Sequence, residues 1–363
     1  MRDDLEPVRR LLPDAQLEPV ERLRGGERCR VDRIRVRTSD ADHTAVVKRF
    51  LDAGEGWVRE TAALRVLPPG LAPQLLAADA ATGVVVMSDL GDGPTVADAL
   101  LGADPDAAAD ALCGWAEAVA RLHAAARPLR DRFVAELAAR QGELHVSRSR
   151  VTGELGDAAT ALPELCARLG VSVPTGAMDE LRGLATRLGG DGASSLSPVD
   201  TCPDDAVRRG ARYLLVDYEG AQWRHVTWDV AYLRVPWPTC WCSWAIPDDA
   251  ADRAVEAYRR TARDGLPEVG DAAFERDLEA ATVGWALTSV TWFVDRALQD
   301  DVAHHPDRTA PTRRATVLHR LGLAARSPEL PALAELSASL RTELRHRWGD
   351  VELALAPAFR PRS

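Results

Sequence analysis

Residues 197–205 read Ser-Pro-Val-Asp-Thr-Cys-Pro-Asp-Asp, and residues 213–220 read Tyr-Leu-Leu-Val-Asp-Tyr-Glu-Gly. The apolar run in the second segment predicts a buried strand that delivers Asp217 into a turn, where a carboxylate is well placed to bind a metal ion. Asp200 and Asp205, in the first segment, supply two further carboxylates. Phosphoryl transfer needs such a set, because one group orients the attacking hydroxyl and two hold the Mg²⁺ of the nucleotide. The two segments therefore predict a catalytic loop followed by a metal-binding strand end.

The composition is that of an ordinary globular protein. Its 363 residues, 46% apolar and 28% charged, suffice for one large two-lobed domain or two ordinary ones. A formal charge of -10 disfavours nucleic acid as a partner, since phosphate binding calls for a basic face. The sequence has no basic leader followed by an apolar stretch, and no apolar run of membrane-spanning length. We therefore expect a cytoplasmic protein without a membrane partner.

The cysteines are scattered along the chain, without the density of a disulfide scaffold or the spacing of a zinc site. We expect all six to be buried or redox-silent thiols. They are Cys29, Cys113, Cys166, Cys202, Cys240 and Cys242.

Strand patterns come first along the chain, and helical patterns follow. Residues 30–36 alternate apolar and polar side chains, and residues 45–50 and 83–87 read as further strands. Helical periodicity marks residues 57–67 and 107–126, and then roughly 250–263, 272–299, 310–325 and 329–348. This order favours an α+β protein with two lobes that join near residues 88–93.

Taken in order, several segments resemble the aminoglycoside phosphotransferase and choline kinase branch of the protein-kinase-like superfamily. The resemblance covers most of residues 20–300. It implies a bilobal protein-kinase-like fold, with a small antiparallel-sheet lobe (residues 1–91) and a larger, mainly helical lobe (residues 92–363) in which residues 128–195 are a variable insertion. The matching segments are Val46-Val47-Lys48, Glu60, residues 86–91 (Val-Met-Ser-Asp-Leu-Gly), Arg121-Leu122-His123, the two acidic segments quoted above and Asp229-Val230-Ala231-Tyr232.

The resemblance also implies roles for residues of the small lobe. Lys48, paired with Glu60, would reach the α- and β-phosphates of ATP. The Gly25-Gly26 turn would lie over the phosphates, because glycine allows a close backbone approach. The segment that joins the lobes would bind the adenine through Met87, Ser88 and Leu90.

In the larger lobe the resemblance assigns the chemistry to the aspartates. Asp200 would orient the acceptor hydroxyl for in-line attack, and Asp205 and Asp217 would hold Mg²⁺. Asp229 would be structural, either as a helix N-cap or as a support for the catalytic loop. His123 is expected to cap the long helix or to form hydrogen bonds within the core.

The catalytic loop departs from the family pattern, which reads His-Gly-Asp and then His-Pro-Gly-Asn. Pro198, Val199 and Asp205 stand in place of the His, the Gly and the Asn, and the valine suggests a different loop conformation. No carboxylate is lost, so the sequence favours transfer of the γ-phosphoryl group of ATP to a hydroxyl of a small molecule. Two alternatives stay open, a catalytically impaired nucleotide-binding protein and a kinase acting on Ser or Thr of a peptide. The acceptor and the oligomeric state also stay open.

Five of the ten tryptophans lie close together after the second acidic segment: Trp223, Trp228, Trp237, Trp241 and Trp244. One interpretation is an aromatic wall for a cationic or aromatic acceptor. The other, which we favour, is packing of the helical lobe. His304-His305 lie in a polar loop and are expected to be plain surface.

Overall fold

The computed structural model describes residues 5–25, 28–51, 54–141, 150–189, 192–303 and 309–361. Gly26, half of the predicted glycine turn, lies outside these ranges, and so do His304 and His305. No helix in these ranges is both long and apolar enough to cross a bilayer.

Five antiparallel strands form the N-terminal sheet, in the spatial order β1-β2-β3-β5-β4. One face of this sheet packs on α1 through a small apolar core that includes Ile34, Val47 and Val86. Because successive strand residues point to opposite faces, Lys48 points away from this core, towards α2. The elements are α1 (Glu6–Leu11), β1 (Gln16–Gly25), β2 (Cys29–Arg37), β3 (Asp42–Phe50), α2 (Glu55–Val66), β4 (Leu75–Asp79) and β5 (Val84–Ser88).

The rest of the chain is mainly helical, with two small two-stranded sheets. The helices are α3 (Val96–Leu101), α4 (Pro105–Ala126), α5 (Arg130–Gln141), α6 (Arg150–Leu169), α7 (Ala177–Leu188), α8 (Thr227–Val230), α9 (Asp248–Ala262), α10 (Ala272–Gln299), α11 (Arg313–Ala324) and α12 (Pro331–Trp348). One sheet pairs β6 (Ser194–Ser197) with β9 (Gln222–His225), and the other is a hairpin of β7 (Ala206–Arg209) and β8 (Arg212–Leu215). The predicted α+β fold, a small antiparallel sheet followed by a larger helical part, is confirmed.

Helix α4 forms where its sequence predicts it. Asp104 caps its N-terminus by accepting hydrogen bonds from the amides of Asp106 and Ala107, and Pro105 fits the first turn. Its apolar stripe, which includes Trp115 and Leu122, is buried in the main core. The helix therefore carries its last turn, with His123, into the interior beside the catalytic loop.

Residues 128–195, predicted as a variable insertion, contribute two long amphipathic helices to the same core. Leu162 of α6 and Leu181 of α7 are fully buried, and these helices pack against α10 and α12. The segment is therefore part of the hydrophobic core of the helical lobe. The lobe boundary between residues 91 and 92 stays a prediction.

Gly284 lies in α10 at a close helix crossing. A Cβ at this position would approach a ring carbon of Trp228 to 2.7 Å. We expect Gly284→Ala to lower the free energy of unfolding by about 1–3 kcal/mol, because overpacking outweighs the gain of about 1 kcal/mol in helix propensity.

The matched control is Gly183→Ala in α7, where a Cβ would meet nothing within 4 Å. This variant should raise the free energy of unfolding by about 0.5–1 kcal/mol, because alanine is the better helix former. Urea unfolding followed by circular dichroism measures both values. Changes of the same sign would contradict the packing argument.

Candidate active site

The β7–β8 hairpin brings Asp205 and Asp217 to one place. Ala206 pairs with Leu215, and the Val216 amide donates a 2.8 Å hydrogen bond to the Asp205 carbonyl. Both aspartates lie just beyond the paired ends of the two strands. Asp217 has a φ of 65°, a left-handed conformation that aspartate adopts more readily than most residues. Both line a cleft of about 380 Å³ between the sheet and the helical lobe.

Lys48 is the centre of a cluster of charges in this cleft. Its Nζ lies 2.7 Å from Glu60, 2.6 Å from Asp217 and 3.1 Å from Glu219. Only 4% of the Lys48 side chain and 1% of the Glu60 side chain are exposed. The pairing of Lys48 with Glu60 that the sequence indicates is therefore present, and it is buried.

Burial and charge act in opposite directions within this cluster. Burial alone would lower the pKa of Lys48, but the three carboxylates hold it well above its usual value. Burial raises the pKa of Glu60 to about 7, although the Lys48 ammonium opposes that rise. The exposed Arg28 side chain adds a 3.4 Å ion pair to Glu219, but the three carboxylates still outnumber the two cations, so the cluster favours the approach of a further cation.

Lys48 is also the only lysine of the chain, because the other basic residues among the 45 are arginines. Lysine carries a compact, strongly hydrated charge, whereas arginine carries a planar one with five donors. One lysine among 45 basic residues is a signal visible in the sequence alone, and it could have drawn attention to this position without any resemblance.

The segment that joins the lobes lines the same cleft. Ser88 is anchored to the chain before β4, since its amide donates to the Gln74 carbonyl and its hydroxyl accepts from the Gln74 amide, both at 2.8 Å. Of the predicted site residues, those that the structure brings together around the cleft are Lys48, Glu60, Met87, Ser88, Leu90, Asp205 and Asp217. Their roles towards a nucleotide stay predictions.

Two predicted site residues lie apart from this group. Gly25 ends β1, where it pairs with Arg30, and a role over phosphates stays a prediction. Asp200 is half-buried and is not among the described residues that line the cleft. It lies instead against residues 237–244, where the Thr239 hydroxyl donates a 2.7 Å hydrogen bond to its Oδ1. The structure thus ties Asp200 to residues 237–244, and its role towards an acceptor stays a prediction.

Val199, immediately before Asp200, has a φ of 77°. A β-branched residue rarely adopts this left-handed conformation, which glycine favours. Three hydrogen bonds hold it: the Val199 amide donates to Ser197 Oγ (2.9 Å), and its carbonyl accepts from Arg224 Nη2 (3.1 Å) and from the Tyr232 hydroxyl (2.9 Å). The valine thus occupies a backbone conformation that glycine favours, and the expectation of a different loop conformation stays a prediction.

Asp229 supports this loop from inside the core. Its carboxylate is fully buried, pairs with Arg224 and accepts a 2.9 Å hydrogen bond from Ser197 Oγ. His123 Nε2 lies 3.0 Å from Asp229 Oδ2, while the other ring nitrogen bonds to the Tyr258 hydroxyl. The predictions of a loop support and of a hydrogen-bonded His123 are confirmed. The N-cap alternative is wrong, because the N-cap of α8 is Val226.

Arg224 is the residue of this site that sequence reasoning missed. It lies on β9, 1% exposed, and joins the Asp229 carboxylate to the Val199 carbonyl. No alternation in this strand pointed to it, because Gln222, Arg224 and His225 are all buried.

The expectation of six thiols is wrong. Cys202 and Cys240 form a disulfide, with their Cα atoms 5.9 Å apart, whereas Cys29, Cys113, Cys166 and Cys242 are not disulfide-bonded. The two cysteines are 38 residues apart in the chain, and they meet only because residues 237–244 fold back over the catalytic loop. Spacing alone carries no information about such a contact.

The tryptophans are mainly core residues. Trp228, Trp237 and Trp244 are buried, so the packing interpretation is confirmed for these three. Trp241 is half-buried, and its Nε1 donates a 2.9 Å hydrogen bond to Asp204 Oδ2 on the catalytic loop. Trp241 thus connects residues 237–244 to the loop through a hydrogen bond.

A five-stranded antiparallel sheet joined to a helical lobe, with a lysine–carboxylate cluster in the cleft between them, is the arrangement of protein-kinase-like folds. No family model matches the sequence, and no curated protein matches it either. Solved structures do match. An ethanolamine kinase from Plasmodium vivax is 11% identical, with 92% of this chain and 87% of that chain covered and a TM-score of 0.51.

A choline kinase from Cryptosporidium parvum Iowa II is 10% identical, with 92% of this chain and 94% of that chain covered and a TM-score of 0.51. A choline/ethanolamine kinase family protein from Mesorhizobium loti is 17% identical, with 90% and 93% covered and a TM-score of 0.48. At these identities the similarity is one of fold. The resemblance to this kinase-like branch is therefore confirmed at the level of the fold.

Asp229 should be a strong contributor to stability. Asp229→Asn would leave Arg224 buried without its carboxylate, which we expect to lower the free energy of unfolding by about 3–5 kcal/mol. The control is Asp295→Asn, whose pair with Arg168 is about half exposed and should be worth no more than about 1 kcal/mol. Denaturant unfolding at pH 7 compares the two, and equal losses would contradict a buried, loop-supporting role.

The low pKa of the Asp229 carboxylate implies that the stability of the protein depends on pH. Burial would raise the pKa of Asp229, but Arg224 and His123 hold it at about 2, below its ordinary value of 3.8. The stability that Asp229 supplies is therefore present above pH 3.8 and is lost as the pH falls through 2. The Asn variant should show a flatter loss of stability over that window than the unmodified protein.

Proposed function

We propose that this protein is an ATP-dependent phosphotransferase that uses Mg²⁺ and moves the γ-phosphoryl group to a hydroxyl of a small molecule. One observation carries the proposal. The buried Lys48–Glu60 pair meets Asp217 in a cleft between a five-stranded sheet and a helical lobe, in a chain whose fold is that of small-molecule kinases. Each part of this site has a task in phosphoryl transfer, and in this reaction the protein acts mainly by positioning and electrostatics.

The donor set fits Mg²⁺. This ion prefers oxygen ligands, and it is usually held by one or two carboxylates together with substrate phosphates. Asp205 and Asp217 offer carboxylate oxygens at one end of the β7–β8 hairpin, facing the cleft. When bound, Mg²⁺ would neutralise charge on the phosphates and so favour transfer.

Lys48 and the segment that joins the lobes would hold the nucleotide. Glu60 and Asp217 fix the Lys48 ammonium on the cleft side of β3, where it would contact phosphate oxygens. Met87, Ser88 and Leu90 line the same cleft and would bind the base. A long, flexible side chain that is already fixed by two ion pairs loses little further entropy on binding, which favours precise placement.

Asp200 would act on the acceptor side. A carboxylate that accepts the proton of the acceptor hydroxyl must be held in a fixed orientation. The Thr239 hydroxyl orients Asp200 Oδ1, and the Tyr232 hydroxyl lies 3.0 Å from Thr239 Oγ1 while donating to the backbone of Val199. These contacts support an assignment of Asp200 to the acceptor and of Asp205 and Asp217 to the metal.

Nucleotide binding is the first prediction of this proposal. ATP with Mg²⁺ should raise the thermal midpoint, because a ligand at 100 times its Kd adds about 2.7 kcal/mol to stability. Asp217→Asn should reduce this shift, whereas the exposed control Asp295→Asn should keep it. No shift for the unmodified protein at millimolar ATP and Mg²⁺ would contradict the proposal.

The location of the nucleotide can be read from the single lysine. An acyl-phosphate analogue of ATP transfers its acyl group to a nearby amine, and Lys48 is the only side-chain amine of the chain. We expect a labelled peptide that contains Lys48, with labelling suppressed by excess ATP and Mg²⁺. Labelling that ATP fails to suppress would place the nucleotide outside this cleft.

Turnover is the third prediction. Asp200→Asn keeps the size of the side chain but removes its ability to accept a proton, so phosphoryl transfer should fall by about 10²–10⁴-fold. The nucleotide-induced thermal shift should persist, because Asp200 does not line the cleft. The assay is transfer from γ-labelled ATP to a panel of hydroxyl acceptors, including amino alcohols and amino sugars. Binding without transfer to any acceptor would favour a nucleotide-binding protein that does not catalyse.

A further inference from the structure

Three contacts tie residues 237–244 to the catalytic loop, and one of them is covalent. Thr239 donates to Asp200, Trp241 donates to Asp204, and Cys240 is bonded to Cys202. Cys202 and Cys240 are 5% and 2% exposed, so the bond lies inside the protein. The covalent link fixes the separation of the two chain segments that carry Asp200 and its hydrogen-bond donor Thr239.

Asp200 lies directly against this bond. Its Oδ1 is 3.0 Å from Cys202 Sγ and 3.7 Å from Cys240 Sγ, and it is the same oxygen that accepts from Thr239. A disulfide sulfur has no hydrogen, so neither sulfur donates to the carboxylate while the bond is intact. In this state Asp200 Oδ1 meets two sulfurs that fix its position without adding hydrogen bonds.

Reduction of the disulfide would change both the position of Asp200 and the hydrogen bonds that its Oδ1 accepts. Two thiols would need a non-bonded separation, which moves Cys240 and the adjoining Thr239 relative to the loop. Each thiol would also carry a hydrogen that can be donated to Asp200 Oδ1, and hydrogen bonds to a carboxylate stabilise its charged form and weaken it as a base. Position and basicity would therefore both become less favourable for accepting a proton from an acceptor.

We propose that the Cys202–Cys240 disulfide positions Asp200, and that its reduction by a dithiol slows phosphoryl transfer. This inference rests on the proposed function, in which Asp200 acts on the acceptor hydroxyl. The dithiol gives up two electrons and two protons and closes into its own disulfide, while the S–S bond breaks and two cysteine thiols form. A disulfide oxidant reverses the step with the same balance.

The other cysteines do not explain such an effect. Cys29 lines the cleft, but burial raises its pKa, and burial likewise raises the pKa of Cys113 and Cys166, which disfavours the reactive thiolate. Cys242 is a buried thiol outside the disulfide, in the same segment and two residues beyond Cys240. It therefore provides the matched control, since Cys242→Ser removes a sulfur from this segment and keeps the disulfide.

The experiment compares four samples: the oxidised protein, the dithiol-treated protein, Cys202→Ser/Cys240→Ser and Cys242→Ser. Alkylation under denaturing conditions followed by intact-mass measurement should count four thiols in the oxidised protein and six after reduction. Transfer rates at saturating ATP are then measured well below the thermal midpoint of every sample, so that unfolding makes no contribution.

We expect kcat to fall about tenfold or more in the reduced protein and in the double variant, because small misplacements of a reacting group carry large rate costs. The KM for ATP and the nucleotide-induced thermal shift should change much less than kcat, since Lys48 and Asp217 do not touch the bond and the Asp205 amide is held by the backbone carbonyl of Cys202, not by its sulfur; a merely structural role would not separate kcat from these. The Cys242→Ser protein should behave like the unmodified one, and dithiol should not slow the double variant further.

Several outcomes overturn the inference. Six alkylatable thiols in the oxidised protein would show that the bond is absent, and an equal or higher kcat after reduction would show that it does not position Asp200. Both results leave the phosphotransferase proposal standing. A missing nucleotide shift in all four samples would instead remove that proposal, and this inference with it.

Discussion

The ion cluster around Lys48 is the constraint on which the rest of the site depends. A buried ammonium is tolerated only where carboxylates compensate for its lost hydration, and here they come from α2 and from the turn after β8. The cluster therefore joins three distant segments of the chain. Arg59 of α2 adds a 2.9 Å hydrogen bond to the Ala221 carbonyl, which ties the same helix to the chain just after the turn that carries Asp217 and Glu219. The carboxylates that compensate the charge of Lys48 therefore also hold the two lobes close together.

A second buried charge, Asp229, stabilises the predicted catalytic loop, residues 197–205, from its other side. Arg224 links its carboxylate to the carbonyl of Val199, the residue with the strained backbone next to Asp200. Strain of this kind persists only where the surroundings over-determine it, and here three hydrogen bonds and a buried ion pair do so. These contacts thus hold residues 197–200 in place around a backbone conformation that valine rarely adopts. Residues 237–244 then cover the loop and hold Asp200 from outside.

Much of the fold could be predicted from local sequence. Helices such as Ala272–Gln299 have the length and the apolar content that set a helix apart, and the order of strands before helices is enough for the two-lobed class. The family resemblance, which rests on the order of the segments along the chain, was enough to select Lys48, Glu60, Asp205 and Asp217 as candidate site residues. The Cys202–Cys240 bond, the Arg224 link and the contact of Asp200 with Thr239 could not be predicted, because each depends on how distant segments meet. Such contacts leave no trace in spacing or periodicity.

A practical consequence follows from the single lysine. Reagents that couple to primary amines, such as succinimidyl dyes, biotinylation reagents and amine-reactive sensor surfaces, find no side-chain target outside the cleft. Any coupling beyond the chain's terminal amine would therefore neutralise the cation that holds Glu60 and Asp217 together. Immobilisation or fluorescent tagging of this protein should accordingly use thiols, carboxylates or a fused tag.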